Sequence, residues 1–159
     1  MIEIPLTQGQ VALIDDEDFD LVRQYKWFAD FAKNTQGFYA RANSPTVNGK
    51  RKGIRMHRLI LGITDPRVLC DHIDHNGLNN QRNNIRVCTY QENRCNAPKP
   101  CSNTSGYKGV VWHGCRKKWR ATIKIEGRRV SLGLFKTPEE AHAAYCEAAV
   151  RYHGEFAHF

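Results

Sequence analysis

No stretch of the chain approaches the roughly 20 consecutive apolar residues that span a bilayer, which excludes a helical membrane protein. The opening MIEIPLTQGQ has no basic start followed by an apolar run. No secretory leader is therefore expected, and the expected location is the cytoplasm. The six cysteines, Cys70, Cys88, Cys95, Cys101, Cys115 and Cys146, contain no CxxC pair. A reducing compartment argues against disulfides, and the lack of paired spacing argues against structural zinc. Cys70, Cys88 and Cys146 are expected to serve as small buried apolar residues. Acid is scarce in one region above all: residues 97–136 hold one acidic side chain against ten basic ones.

What is there in excess is positive charge. The 159 residues carry 24 Lys and Arg against 16 Asp and Glu, a net charge of +8. Residues 1–48 are acidic on balance, with four basic and seven acidic side chains, whereas residues 49–96 hold nine and four. The cationic middle and third quarter point to a polyanionic partner, double-stranded DNA being the first inference. Basic residues interleaved with apolar ones form a folded basic surface; an unpatterned run would be a disordered tail.

The first fifty residues show short apolar stretches at 2–6, 11–14, 25–31 and 38–41, separated by polar turns. The acidic run from Asp15 suits a short helix start, because carboxylates favour a helix N-terminus. A small mixed module over residues 1–55 is expected, with Trp27 and Phe28 in its core. A turn at Asn48-Gly49, a strand and a short helix over 57–61 follow, and the cluster Lys50, Arg51, Lys52 and Arg55 suits phosphate contacts or a solvated loop. The stretch APKPCSNTSG has no apolar period and reads as a linker over 98–105.

The segment CDHIDHNGLNNQRNNIRVCTYQENRCN concentrates polar chemistry. Asp71 and His72 end a strand over 68–70, residues 85–88 read as a second strand, and 89–96 as a helix capped by Thr89. Strand, loop, strand and helix would bring the segment's ends together, so that Asp71 and Asn93 share one hard cation through oxygen ligands. His72 points away from Asp71 on an extended strand and would face a water as general base, oriented by a carbonyl or amide. His75 reads as an exposed loop residue.

Residues 71–96 resemble the ββα-metal motif of HNH nucleases, in the Asp-His, Asn, Asn subclass found among phage and intron-type homing endonucleases. The steps of twelve from His72 to Asn84 and nine to Asn93 carry the likeness. The resemblance implies a nuclease core over 56–97, with Asp71 and Asn93 as metal ligands, His72 as general base and Asn84 bracing the loop and orienting the histidine. It implies one Mg2+ or Mn2+ per active site, since Asn in the third position favours hard cations. It also implies duplex DNA as substrate and a 5′-phosphate and 3′-hydroxyl as products; it allows nicking of one strand by a monomer with no obligate protein partner, whereas a double-strand break by paired sites would need a dimer.

Beyond the linker, KWRATIKIEGRRVSLGLF alternates at period two around a turn at Glu126-Gly127, and YKGVVW supplies a third strand. Parity predicts Trp119, Ala121, Ile123 and Ile125 on one face with Val130, Leu132 and Leu134. It predicts Lys118, Arg120, Thr122, Lys124, Arg129 and Ser131 on the other, a cationic face that fits a major groove. TPEEAHAAYCEAAVRYHG predicts a helix with a Thr137–Glu140 capping box, Pro138 in its first turn, an apolar stripe through Ala141, Ala144, Tyr145, Ala148 and Tyr152, and Gly154 at its end. The fold class is therefore α+β, its last part a three-stranded antiparallel sheet on one helix.

Residues 106–159 resemble the APETALA and ethylene-response-factor type of DNA-binding domain, by YKGV, RVSLGLF, PEEAHAAY and HGEFAHF. By that resemblance Lys108, Lys124 and Arg129 occupy basic contact positions, and Thr122 and Ser131 stand where plant domains often carry Glu and Trp. Trp112 and His113 in the first turn would compensate. With lysine predominating, a salt-sensitive tether is expected more than a sharp reader of sequence. Beside the enzyme stand two other readings: a DNA-binding regulator with an inactive nuclease motif, which the intact Asp71, His72, Asn84 and Asn93 set opposes, and a zinc-stabilised binding module, which the cysteine spacing opposes.

Overall fold

Alternating apolar residues pair into hairpins through the first half of the chain. A computed structural model describes residues 1–33, 35–45, 52–100 and 102–159. In it β1 (Ile2–Pro5) runs antiparallel to β2 (Val11–Ile14), with Ile2 opposite Ile14. The acidic run opens a 3-10 turn at Asp16 and passes into α1 (Phe19–Val22). Strands β3 (Phe28–Ala32), β4 (Gly37–Asn43) and β5 (Gly53–Arg55) form an antiparallel sheet in that order. Helix α2 (Met56–Ile60) follows, and β6 (Leu69–His72) pairs with β7 (Ile85–Cys88). The Asn48-Gly49 turn, Lys50, Arg51 and Cys101 lie outside the described residues.

The fold is α+β, in two compact units, Met1–Thr89 and Tyr90–Phe159. In the first, Ile14, Val22, Trp27, Ala40, Met56, Ile60, Leu78 and Ile85 form one core. The boundary expected at residue 55 thus coincides with no gap in packing, because Met56 and Ile60 bury the same face as the preceding strands. The loop between β6 and β7 is tied to β2: Leu13 N–H donates to Leu78 C=O and Asn80 N–H to Leu13 C=O, each at 2.8 Å. Arg82 extends from that loop to Asp18, with contacts of 3.0 and 2.7 Å.

The second unit starts with α3 (Tyr90–Asn96). Its sheet has β9 (Lys118–Ile125) at the centre, between β8 (Val110–His113) and β10 (Arg128–Phe135). Helix α4 (Pro138–His153) starts with both arms of the Thr137–Glu140 capping box and ends at Gly154. It buries Ala141, Tyr145, Ala148 and Ala149, with Ile123 and Tyr145 in one cluster and Val110, Ala121 and Ala141 in another.

Four expectations change here. The first strand starts at Val110 and not at Tyr107, because Gly109 turns at φ +75 flat against the Tyr145 ring, where no Cβ would fit. A β-bulge between Ser131 and Gly133 inverts the alternation of β10. Leu134 consequently pairs with Arg120 on the cationic side and is 39% exposed, while Phe135 pairs with Trp119 and joins the core. Val130 keeps its side opposite Ile123 but, on an edge strand, stays 41% exposed. Tyr152 is exposed as well, and Phe156 in the 3-10 turn after α4 is buried in its stead. Among the described residues no helix is long and apolar enough to cross a membrane.

Candidate functional site

Neighbouring positions on a strand face opposite ways, and β6 uses both faces for chemistry. Asp71 and His72 are both buried. Asp71 stands opposite Arg86 on β7, which donates to its Oδ2 at 3.1 Å; both side chains are largely enclosed. The His72 ring packs on the other side against His57 of α2, with centroids 4.8 Å apart and planes at 85°. Tyr39 of β4 closes a second side at 5.8 Å, and the exposed Arg55 guanidinium lies over the Tyr39 ring at 5.4 Å. Tyr39 and His57 thus pack against two sides of the His72 ring.

Burial sets the electrostatics of this pair. Loss of solvent lowers the His72 pKa below its ordinary value, opposed by a side-chain hydrogen bond with the fully buried Asn80 and by the charges of Asp74 and Asp71. His57 is pushed down to about 3, first by burial and then by the charges of His72, Arg55 and Arg58. Both imidazoles are therefore neutral near pH 7, the form a general base requires.

Asn84 braces the loop. Its Nδ2 donates to Asp74 Oδ1 at 2.9 Å and to Asn79 C=O at 2.8 Å, and its Oδ1 accepts from Asp74 N–H at 3.1 Å. Its side chain orients Asp74 and the loop. Asn79 Nδ2 donates to Asp74 Oδ2 at 2.8 Å and Asn76 N–H to Asp74 Oδ1 at 2.8 Å. These bonds keep the Asp74 carboxyl below the ordinary carboxylate range although burial alone would raise it. His75 is exposed and takes a positive φ of 63. Gly77 crosses β4 so closely that a Cβ would come 2.5 Å from Phe38 C=O. Asn93 lies half-buried on α3, in the second unit. Among the described residues no group of three His, Cys, Asp or Glu side chains could hold a metal ion.

In the second unit the register assigns the sheet's two faces. The face away from α4 carries His113 and Lys118, Val111 with Arg120 and Leu134, Thr122 with Ser131, and Lys124 with Arg129. Trp112 is on the other face, opposite Trp119 with ring centroids 5.1 Å apart, so the expected pairing of Trp112 with the cationic surface does not occur. Lys108 also leaves that surface. Its Nζ donates to Cys95 C=O at 2.7 Å, and burial lowers its pKa to about 8.

Residues 105–155 match the AP2 domain. Protein 3.8 of Escherichia phage T7 is 38% identical over 85 residues, which is 47% of this chain and 70% of that protein. The chain belongs to the family of that phage protein. An uncharacterised HNH endonuclease of Acanthamoeba polyphaga mimivirus is 27% identical over 155 residues, 94% of this chain and 74% of its own length. No solved structure matches. The AP2 domain covers β8 to α4, and together with the relative named as an HNH endonuclease it indicates DNA binding.

Sequence reasoning missed Tyr39, His57, Asn80 and Arg86. Arg86 stands on the expected second strand, and only the strand register reveals that it faces Asp71. Tyr39 and His57 meet His72 through the tertiary fold and carry no local spacing signal. Asn80 sits in the Asn79-Asn80 doublet, but nothing in the doublet distinguishes the residue that points inward.

Proposed function

We propose that the chain is a metal-dependent HNH endonuclease that hydrolyses phosphodiester bonds of duplex DNA, with the AP2 domain as its grip. The observation that carries the reading is His72, a buried neutral imidazole adjoining the Asp71 carboxylate, in a loop braced by Asn84. Support comes from a relative named for this activity whose similarity extends over 94% of the chain.

In this reading His72, neutral near pH 7, accepts the proton of the attacking water. Tyr39 and His57 limit how far the ring can turn. By the Asp-His, Asn, Asn pattern Asp71 would offer a carboxylate and Asn93 a carboxamide oxygen, donor types suited to Mg2+ or Mn2+. Such an ion would supply Lewis-acid stabilisation of charge on the phosphate. Arg86 already neutralises part of the Asp71 charge and would share that carboxylate with the ion. In the second unit the face bearing Lys118, Arg120, Lys124 and Arg129 docks in the major groove.

Plasmid relaxation tests the reading. Nicking with Mg2+ or Mn2+ that disappears in His72→Ala while DNA binding persists is the expected result. Binding without cleavage across metals and substrates would instead identify a DNA-binding regulator with an inactive nuclease motif.

A further inference from the structure

The bulge in β10 has an effect on the cationic face as well as on the core. It turns Leu134 outward, opposite Arg120, and the same Arg120 stands opposite Val111 on its other side. The row Val111, Arg120, Leu134 therefore crosses all three strands with an aliphatic side chain on each flank of a guanidinium. Val111 is 43% and Leu134 39% exposed, although apolar groups on an otherwise charged face gain nothing from water. Lys118, Lys124, Arg129 and His113 share this face, so the occupant it suits is an anion with apolar projections.

We propose that Val111 and Leu134 are specificity-determining residues that contact thymine C5-methyl groups on either side of a base read by Arg120. The inference rests on the reading that this face docks in the DNA major groove. Two strand spacings separate the two aliphatic side chains by roughly 9–10 Å, within the roughly 12 Å width of that groove. Thymine alone presents a methyl on its major-groove edge, and aliphatic side chains have no hydrogen bonds with which to read the other bases. Arginine between them fits guanine O6 and N7 through two parallel N–H donors. The face thereby gains a base-reading element beyond its phosphate contacts.

The test uses the 159-residue chain and duplexes selected from a randomised pool. Selected sites are expected to share thymines flanking a guanine. Replacing such a thymine by deoxyuridine removes only the methyl, and should weaken wild-type binding about fourfold per thymine, the equivalent of one buried methyl group. Val111→Ser and Leu134→Ser should each lose sensitivity to deoxyuridine at one thymine while the salt dependence of binding is unchanged. Equal wild-type affinity for thymine and deoxyuridine duplexes, or selection without recurrent thymine, overturns the proposal whatever the fate of the variants. If Lys124→Gln with Arg129→Gln leaves binding intact, the docking reading itself falls. If that pair weakens binding while deoxyuridine has no effect, only the methyl contact falls.

Discussion

His57 and His72 meet edge to face inside the first unit, their ring centroids 4.8 Å apart. One comes from the helix after the N-terminal sheet and the other from the hairpin that carries Asp71. The contact makes residues 1–55 and the candidate active site parts of one structure, since Tyr39 of β4 packs on both rings. Two neutral imidazoles in one buried cluster give that unit a definite response to acid.

The His57 pKa is lowered from 6.5 to about 3 in the folded state. The unfolded chain therefore binds the extra proton between these values. His57 contributes stability in full above pH 6.5, and loses it progressively as pH falls toward 3. His72 acts in the same direction. Urea midpoints measured from pH 7 to 4.5 should fall, with a slope approaching about 1.4 kcal/mol per pH unit from His57 and a contribution of the same sign from His72. His57→Phe, which keeps a ring in the cavity, should flatten that slope. An unchanged slope would show that His57 does not titrate as described.

Arg82 neutralises Asp18, whose side chain is 2% exposed. Arg82→Ala strands that carboxylate and should cost about 2 kcal/mol. This is less than the about 3–5 typical of a fully buried pair, because Arg82 is 47% exposed and water screens it. Arg67→Ala should leave stability unmoved, since Arg67 pairs with Asp65 at the surface. Equilibrium urea denaturation of the two variants checks the ranking.

Gly77→Ala should destabilise the protein by about 1–3 kcal/mol, the range for forced overpacking. The added Cβ meets the Phe38 carbonyl oxygen and the Tyr39 ring, so the loop must move off β4. A thermal midpoint equal to that of wild type would show that the loop does not cross β4 this closely.

Neutralising Lys124 and Arg129 together should lower the slope of log affinity against log salt by about 2, one counterion per lost phosphate contact. Lys108→Gln should leave the slope unchanged, since Lys108 Nζ is held by Cys95 C=O. Filter-binding or anisotropy titrations at several salt concentrations separate the two.

Much of the fold was legible because local rules agree with tertiary ones. The second strand over 85–88, the capping box at Thr137 and the Glu126-Gly127 hairpin turn all match the structure. Parity along β9 placed Ala121 and Ile123 in the core and Lys118 and Lys124 outside. Parity along β10 failed beyond Ser131. A bulge adds one residue with no composition signal, and a slip of one exchanges the faces of every residue that follows.

The sequence by itself determined the α+β class, the cationic strand face and the Asp71, His72 and Asn84 segment, because each depends on the order of neighbouring residues. Only the tertiary structure decided which groups surround them. Tyr39 and His57 reach His72, Asn80 turns inward, Arg86 faces Asp71, and Leu134 joins Arg120 while Trp112 and Lys108 leave that face. Those outcomes depend on strand register and on packing between segments distant in the chain, and the energy of such contacts belongs to the pair and not to either stretch of sequence.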